Sequence, residues 1–304
     1  TYRSQRRGGR GVQGASSREE DFVEHLFIAN THSYILFFTD KGKCYWVKVY
    51  DIPEGGRAAK GRAIVNLIGC EPDEKVSAFI SVKEFNEDHY VVMATEKGMV
   101  KKTKLSAYSN PRKKGIYAVE IRDGDKLIEA RVSTGDNDIL LGTRNGKSIR
   151  FSEEQIRASG RKTMGVKGIT LSSEDDRLVG MLLIKREGTV LVATEKGFGK
   201  RTEISQYRAQ KRGGKGVLTM KTTDKVGKMV TIKEVVDKDD LMIITNQGVL
   251  IRLPVAQIRS IGRATQGVKL IKLGEGTLVS SITRIMSEEE ENENNNTEST
   301  DPKE

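Results

Sequence analysis

Short apolar runs recur along the chain at near-regular intervals: Ile35-Leu36-Phe37-Phe38, Val91-Val92-Met93, Ile139-Leu140-Leu141, Val190-Leu191-Val192 and Met242-Ile243-Ile244. Each leads into Thr-x-x-Gly, at Thr39 to Gly42, Thr95 to Gly98, Thr143 to Gly146, Thr194 to Gly197 and Thr245 to Gly248, with spacings of 56, 48, 51 and 51 residues. An alternating segment follows each motif. This pattern predicts β-hairpins whose turn glycine takes positive φ. A second mark, a glycine followed by a strand-forming residue, stands at Gly11, Gly61, Gly115, Gly165, Gly216 and Gly267. A third run closes each unit, as at Leu127-Ile128, Leu178-Val179, Met229-Val230 and Leu278-Val279. One unit is then four short strands in about 51 residues, the signature of propeller blades. Counting loop marks predicts six blades. Thr1 to Gln5 reads as the middle of a unit, so the first blade lacks its N-terminal side, and the last run, Thr277 to Met286, is expected to pair with the first blade and close the ring.

Charge changes this picture from a plain ring to a strongly positive one. Of 304 residues, 52 are Lys or Arg and 42 are Asp or Glu, a formal charge of +10. Residues 288–304 hold eight acids and one lysine, so residues 1–287 carry +17. We therefore read 1–287 as one domain and 288–304, which has no apolar side chain to bury, as a disordered acidic tail. A body so basic points to a polyanionic partner. Cys44 and Cys70 make no disulfide framework, which fits a reducing cytoplasm. The longest apolar run, Tyr34 to Phe38, is too short for a membrane span, and no apolar core follows the Arg-rich start as in a secretion signal.

The cations share addresses within the repeat. Four residues before the loop glycine stand Arg7, Arg57, Pro111, Arg161, Arg212 and Arg263; one residue before it stand Arg10, Lys60, Lys114, Met164, Lys215 and Gln266. Four residues after the hairpin glycine come Trp46, Lys102, Arg150, Arg201 and Arg252. Repetition turns a shared address into a band around one rim. Duplex DNA, with one phosphate charge per roughly 1.7 Å of axis, suits such a band. Bending some 40 bp through half a turn costs on the order of 10 kcal/mol, which many simultaneous phosphate contacts can offset. Only 17 aromatic residues are present, and most sit in strand runs, so stacking platforms for single strands are not evident. No recognition helix or zinc-finger spacing predicts base reading.

The sharpest local motif is Gln5-Arg6-Arg7-Gly8-Gly9-Arg10-Gly11, with a near copy at Gln210-Lys211-Arg212-Gly213-Gly214-Lys215-Gly216. Three or four cations in seven residues exceed the needs of a turn. A dinucleotide-binding reading of Gly9-x-Gly11-x-x-Gly14 fails because no strand precedes it. The box and the degenerate blades around it resemble the C-terminal domain of the bacterial DNA gyrase A protein. The resemblance covers residues 1–287. It implies an all-β, six-bladed β-pinwheel with strands exchanged between neighbouring blades. It also implies wrapping of duplex DNA with a positive-handed crossing, so that the holoenzyme introduces negative supercoils. Gln5, Arg6, Arg7, Gly8, Gly9, Arg10 and Gly11 are then the box residues required for wrapping, with Lys211 and Lys215 in a supporting copy. Implied partners are the N-terminal breakage-reunion region of the same polypeptide and, in a heterotetramer, the ATPase subunit; the cleaving tyrosine and ATPase lie elsewhere, so the domain alone is inert and needs no cofactor. A bacterial cytoplasmic, nucleoid-associated setting follows.

Signals for chemistry of its own are poor. Gly142 to Ser148 differs from a phosphate-binding loop by one residue and falls on a hairpin turn. His25, His32 and His89 are not at metal-ligand spacing, and Glu71, Asp73, Glu74, Asp136 and Asp138 read as turn residues. The corresponding domain of topoisomerase IV is the nearest alternative and lacks an intact box. A protein-recognition propeller is the other; it predicts mixed-charge loops and an exposed apolar face, against the shared arginine address seen here.

Overall fold

The computed structural model describes residues 12–13, 30–53, 64–185 and 187–285. In chain order the strands are β1 (Val12–Gln13), β2 (Tyr34–Thr39), β3 (Lys43–Lys48), β4 (Val76–Val82), β5 (Tyr90–Thr95), β6 (Met99–Lys104), β7 (Ile116–Tyr117), β8 (Leu127–Ser133), β9 (Asp138–Thr143) and β10 (Lys147–Ser152). They continue with β11 (Val166–Lys167), β12 (Leu178–Ile184), β13 (Thr189–Thr194), β14 (Phe198–Glu203), β15 (Val217–Leu218), β16 (Met229–Val235), β17 (Asp240–Thr245), β18 (Val249–Pro254), β19 (Val268–Lys269) and β20 (Val279–Ile285).

Each predicted hairpin forms, and the reason for Thr-x-x-Gly is local. The glycine N–H donates to the threonine carbonyl at 2.9–3.0 Å in all five turns, and the glycine φ lies between +76° and +84°. In four turns the threonine hydroxyl also accepts the next strand's first N–H, at 3.1–3.3 Å. The threonines are buried, so this local bond keeps a buried hydroxyl satisfied.

Five four-stranded antiparallel sheets result, in the orders β4-β2-β3-β7, β8-β5-β6-β11, β12-β9-β10-β15, β16-β13-β14-β19 and β20-β17-β18-β1. This corrects the expected count of six. A blade needs a hairpin, and the described residues form five; a loop glycine marks at most a two-residue outer strand, which is given away, and after Gly61 the described chain forms a short helix, Ile64–Ile68, instead. Thus β7, which follows the β5–β6 hairpin, pairs with β3 of the preceding blade, as Cys44↔Ile116 and Lys43↔Tyr117. The strands β11, β15 and β19 do the same on β6, β10 and β14. The mark at Gly11 introduces β1, which completes the last blade by pairing Val12↔Leu250 and Gln13↔Val249. The expected closure by Thr277 to Met286 is corrected too: β20 stays in its own blade, along β17, and β1 joins the ends. Strand exchange is thereby present, as the resemblance implied.

The exchanged segment is sealed by the turn it crosses. The Gly146 carbonyl accepts the N–H groups of Thr219 and Met220, and Gly42, Gly98 and Gly197 play the same part with Ala118/Val119, Gly168/Ile169 and Leu270/Ile271. A Cβ on Gly146 would stand 2.1 Å from the Met220 carbonyl oxygen, so close approach demands glycine as strictly as φ does. Apolar cores fill the spaces between blades; one joins Leu36, Phe38 and Ile80 to Val91, Met93 and Ala130. The strands β4, β8, β12, β16 and β20 line a central cavity of about 490 Å³, which places β1, β7, β11, β15 and β19 on the outer side. Among the described residues no helix is long and apolar enough to cross a membrane.

Candidate nucleic-acid interface

The outer strands β11, β15 and β19 are each preceded by a loop that lies along the neighbouring blade, and these loops hold Arg161, Arg212 and Arg263. Arg161 Nη1 donates to the Tyr117 carbonyl at 3.3 Å, Arg212 Nη1 to Lys167 at 3.1 Å and Arg263 Nη1 to Leu218 at 2.9 Å. Tyr117, Lys167 and Leu218 each end an outer strand, so the three arginines have one address on the perimeter, in keeping with their spacing. All three are half-buried and keep part of the guanidinium at the surface. Arg263 also stacks 6.0 Å from the Tyr207 ring centroid. Lys211 and Lys215 are exposed on the loop of Arg212, and Lys114 is exposed on the corresponding loop before β7. Arg57, Lys60, the box from Gln5 to Gly11 and the acidic tail lie outside the described residues.

The second predicted band is turned inward. Lys102 is 7% exposed; its Nζ lies 4.9 Å from the Tyr90 ring centroid and 3.5 Å from Glu153 Oε1. Arg150 pairs with Asp138 at 2.6 Å and donates to the Ile204 and Tyr207 carbonyls at 3.3 and 3.2 Å. Arg201, 8% exposed, donates to the Ile258 carbonyl at 2.6 Å and pairs with Asp237. Arg252 pairs with Asp240 at 2.6 Å and stays about one-third exposed. Strand alternation holds, for these side chains do point away from the blade core. That other face, however, is covered by the next repeat's loop: Ser159 N–H bonds the Lys102 carbonyl, Gln210 N–H that of Arg150, and Ile261 N–H that of Arg201. Lys102, Arg150 and Arg201 clasp blades together rather than face solvent, while Arg252 stays at the edge of its own hairpin.

One set escapes the sequence reading. Arg157, Arg208 and Arg259 are exposed, stand 51 residues apart and precede Arg161, Arg212 and Arg263 by four. The signal is Arg-x-x-x-Arg at the blade period, which Arg3 and Arg7 share. In the 210–216 copy a glycine seals the exchanged loop. The Gly213 N–H is donated to the Gly168 carbonyl at 2.6 Å.

Exchanged blades with a cationic perimeter define a propeller-type ring suited to a long polyanion. The chain belongs to the family described as DNA gyrase C-terminal domain, beta-propeller, whose pattern it matches at residues 1–30, 33–83, 89–134, 137–185, 188–235 and 239–285. It is 47% identical over 293 residues to the DNA gyrase A protein of Staphylococcus epidermidis, covering 95% of this chain and 33% of that protein. It is 46% identical over 303 residues to the Staphylococcus aureus counterpart, covering 99% and 34%. The chain thus spans about a third of the length of these relatives, each of which is one of the subunits of a DNA topoisomerase. A solved DNA gyrase A C-terminal domain superimposes with a TM-score of 0.81 at 23% identity, over 94% of this chain and 93% of that one. The crystal structure of the C-terminal domain of DNA topoisomerase IV gives 0.79 at 25%, over 91% and 86%.

Proposed function

We propose that the chain binds duplex DNA on its perimeter and bends it around the ring with a positive-handed crossing, so that a gyrase holoenzyme can introduce negative supercoils. The observation that carries this reading is the repeated Arg-x-x-x-Arg on the exchanged loops, one exposed and one half-buried guanidinium per loop at a fixed place on three successive blades. Arg presents a planar fork that matches phosphate oxygens. A rigid arc of such forks meets backbone phosphates without reading bases.

The proposed contacts are Arg157, Arg161, Arg208, Arg212, Arg259 and Arg263, with Lys114, Lys211 and Lys215 beside them. Arg252 contributes at the edge. Gln5, Arg6, Arg7, Gly8, Gly9, Arg10, Gly11, Arg57 and Lys60 belong to the same proposal through their repeat positions. The chain performs no bond-breaking step itself; strand passage belongs to the breakage-reunion region and the ATPase subunit. The box favours gyrase over topoisomerase IV as the setting, in a bacterial cytoplasm.

Religation of nicked circular DNA with the chain bound tests this directly. Trapped positive supercoils support it, and an unchanged or lowered linking number overturns it. Replacing Arg6, Arg7 and Arg10 with Ala is expected to remove curvature while most affinity remains, read by FRET bending beside gel shift.

A further inference from the structure

Lys101 and Lys200 stand at the same repeat position, three residues past the turn glycine, where Tyr45, Ile149 and Ile251 occupy the other blades. Both side chains are buried, with the residues 2% and 0% exposed. Neither has an ion pair among the described residues. An unpaired buried ammonium is costly unless its hydrogens find partners, and here those partners are chiefly main-chain carbonyls. Lys101 Nζ donates to the carbonyls of Ala118 at 2.7 Å and Arg161 at 2.5 Å. Lys200 Nζ donates to the Gly262 carbonyl at 2.6 Å, the Arg263 carbonyl and the Thr265 hydroxyl at 3.1 Å. Each lysine thus grips the backbone of the very residue that carries a rim guanidinium, on a loop donated by the next repeat.

We propose that Lys101 and Lys200 are positioning residues for DNA binding: each latches an exchanged loop so that Arg161 or Arg263 holds its place on the perimeter. This rests on the function proposed above. The blade with Ile149 lacks the lysine and keeps only a glutamine contact, which the Lys200 blade also has, Gln206 Oε1 accepting the Arg263 N–H at 3.3 Å. In the Ile149 blade the loop is held by Gln155, whose side-chain oxygen accepts the Arg212 N–H at 2.9 Å and whose carbonyl accepts Arg212 Nε at 3.0 Å. Aliphatic packing is thus sufficient for the core at this position, and the lysine serves the loop. Burial pushes both lysines down to about 8, helped by Arg161 at Lys101, where Glu120 opposes, and by Arg263 at Lys200. Tyr108, whose hydroxyl lies 3.5 Å from the Ala118 carbonyl, Tyr207 beneath Arg263, and Tyr117, whose ring centroid lies 5.8 Å from Lys162 Nζ, face these loops.

Double-mutant cycles on long duplex DNA, read as affinity and FRET bend, test the latch. Lys200→Met combined with Arg263→Ala should bind no more than about twofold weaker than Arg263→Ala alone, because the lysine acts through that arginine. Lys200→Met combined with Arg161→Ala, on another blade, should show the two losses multiplied. Equal multiplication in both pairs overturns the latch. If Lys200→Met does not fold, Lys200→Gln carries the same cycle. If Arg161→Ala and Arg263→Ala alone change neither affinity nor bend, the perimeter reading falls along with the latch, whereas multiplying losses sink the latch alone.

Discussion

Replacing Arg157, Arg208 and Arg259 with Ala removes three exposed charges that make no side-chain hydrogen bond or ion pair among the described residues. Exposed substitutions of this kind shift stability by only about 0.5 kcal/mol each, so the thermal midpoint should hold. DNA binding should not. Each phosphate contact adds about 0.9 to the slope of log affinity against log salt, so losing three lowers that slope by about 2.7. Between 50 and 200 mM salt the unaltered chain should then lose about 40-fold more affinity than the triple variant. Fluorescence anisotropy on a long random-sequence duplex across that range measures both slopes. Identical slopes, with weaker binding or not, would refute the claim that these guanidiniums face phosphates. A slope change accompanied by a lowered melting point would show that the loops depend on these arginines for their fold.

Arg201→Ala should act in the opposite sense: it strips a charged donor from the Ile258 carbonyl, costing about 2–4 kcal/mol in urea unfolding, while the salt slope of DNA binding stays put. Gly146→Ala forces an L side chain to φ +84° against the Met220 carbonyl and should cost more than about 2 kcal/mol; a melting point within a degree of the parent would contradict the sealing role of that turn. Lys101 and Lys200 are pushed down from 10.5 to about 8, so below pH 8 the folded state bears the expense of charging them and above it that expense fades. Urea unfolding should accordingly show stability rising from pH 8 to 9.5, and Lys101→Met with Lys200→Met should reduce the rise; an unaltered pH profile in the double variant would reject the assignment. Within the window Lys185 and Lys233, also pushed down by burial, add to the rise and keep part of it in the double variant, while Cys44 and Cys70, pushed up by burial, oppose it; the window stops below 10 because Tyr45, Tyr108 and Tyr207 are pushed up by burial and oppose it at higher pH.

Local chemistry makes the hairpins legible. Thr39 to Gly42 and its four successors specify a turn through bonds among neighbours, and such bonds survive any larger arrangement. The blade count is not legible in the same way, because Gly115 or Gly216 marks a strand without saying whose sheet receives it. The loop arginines Arg161, Arg212 and Arg263 can be found because one repeat position maps to one place. Lys102, Arg150 and Arg201 satisfy the same argument and still turn inward. Alternation tells which side of a strand a residue occupies, and only the tertiary fold tells whether that side is wet. Lys101 and Lys200 are opaque for a related reason: a lysine beside Lys102 or Arg201 in a polar run reads as exposed until its carbonyl partners, some 60 residues further on, are seen.

The pairing of Val12 with Leu250 spans 238 positions, whereas every other handover links repeats adjacent in sequence. Bringing such distant ends together carries the largest loop-closure entropy in the molecule, and only two residue pairs reward it. The circle is therefore a bracelet with a clasp. The clasp fastens last and springs first, and amide hydrogens of β18 facing β1 should exchange before those at the other four handovers.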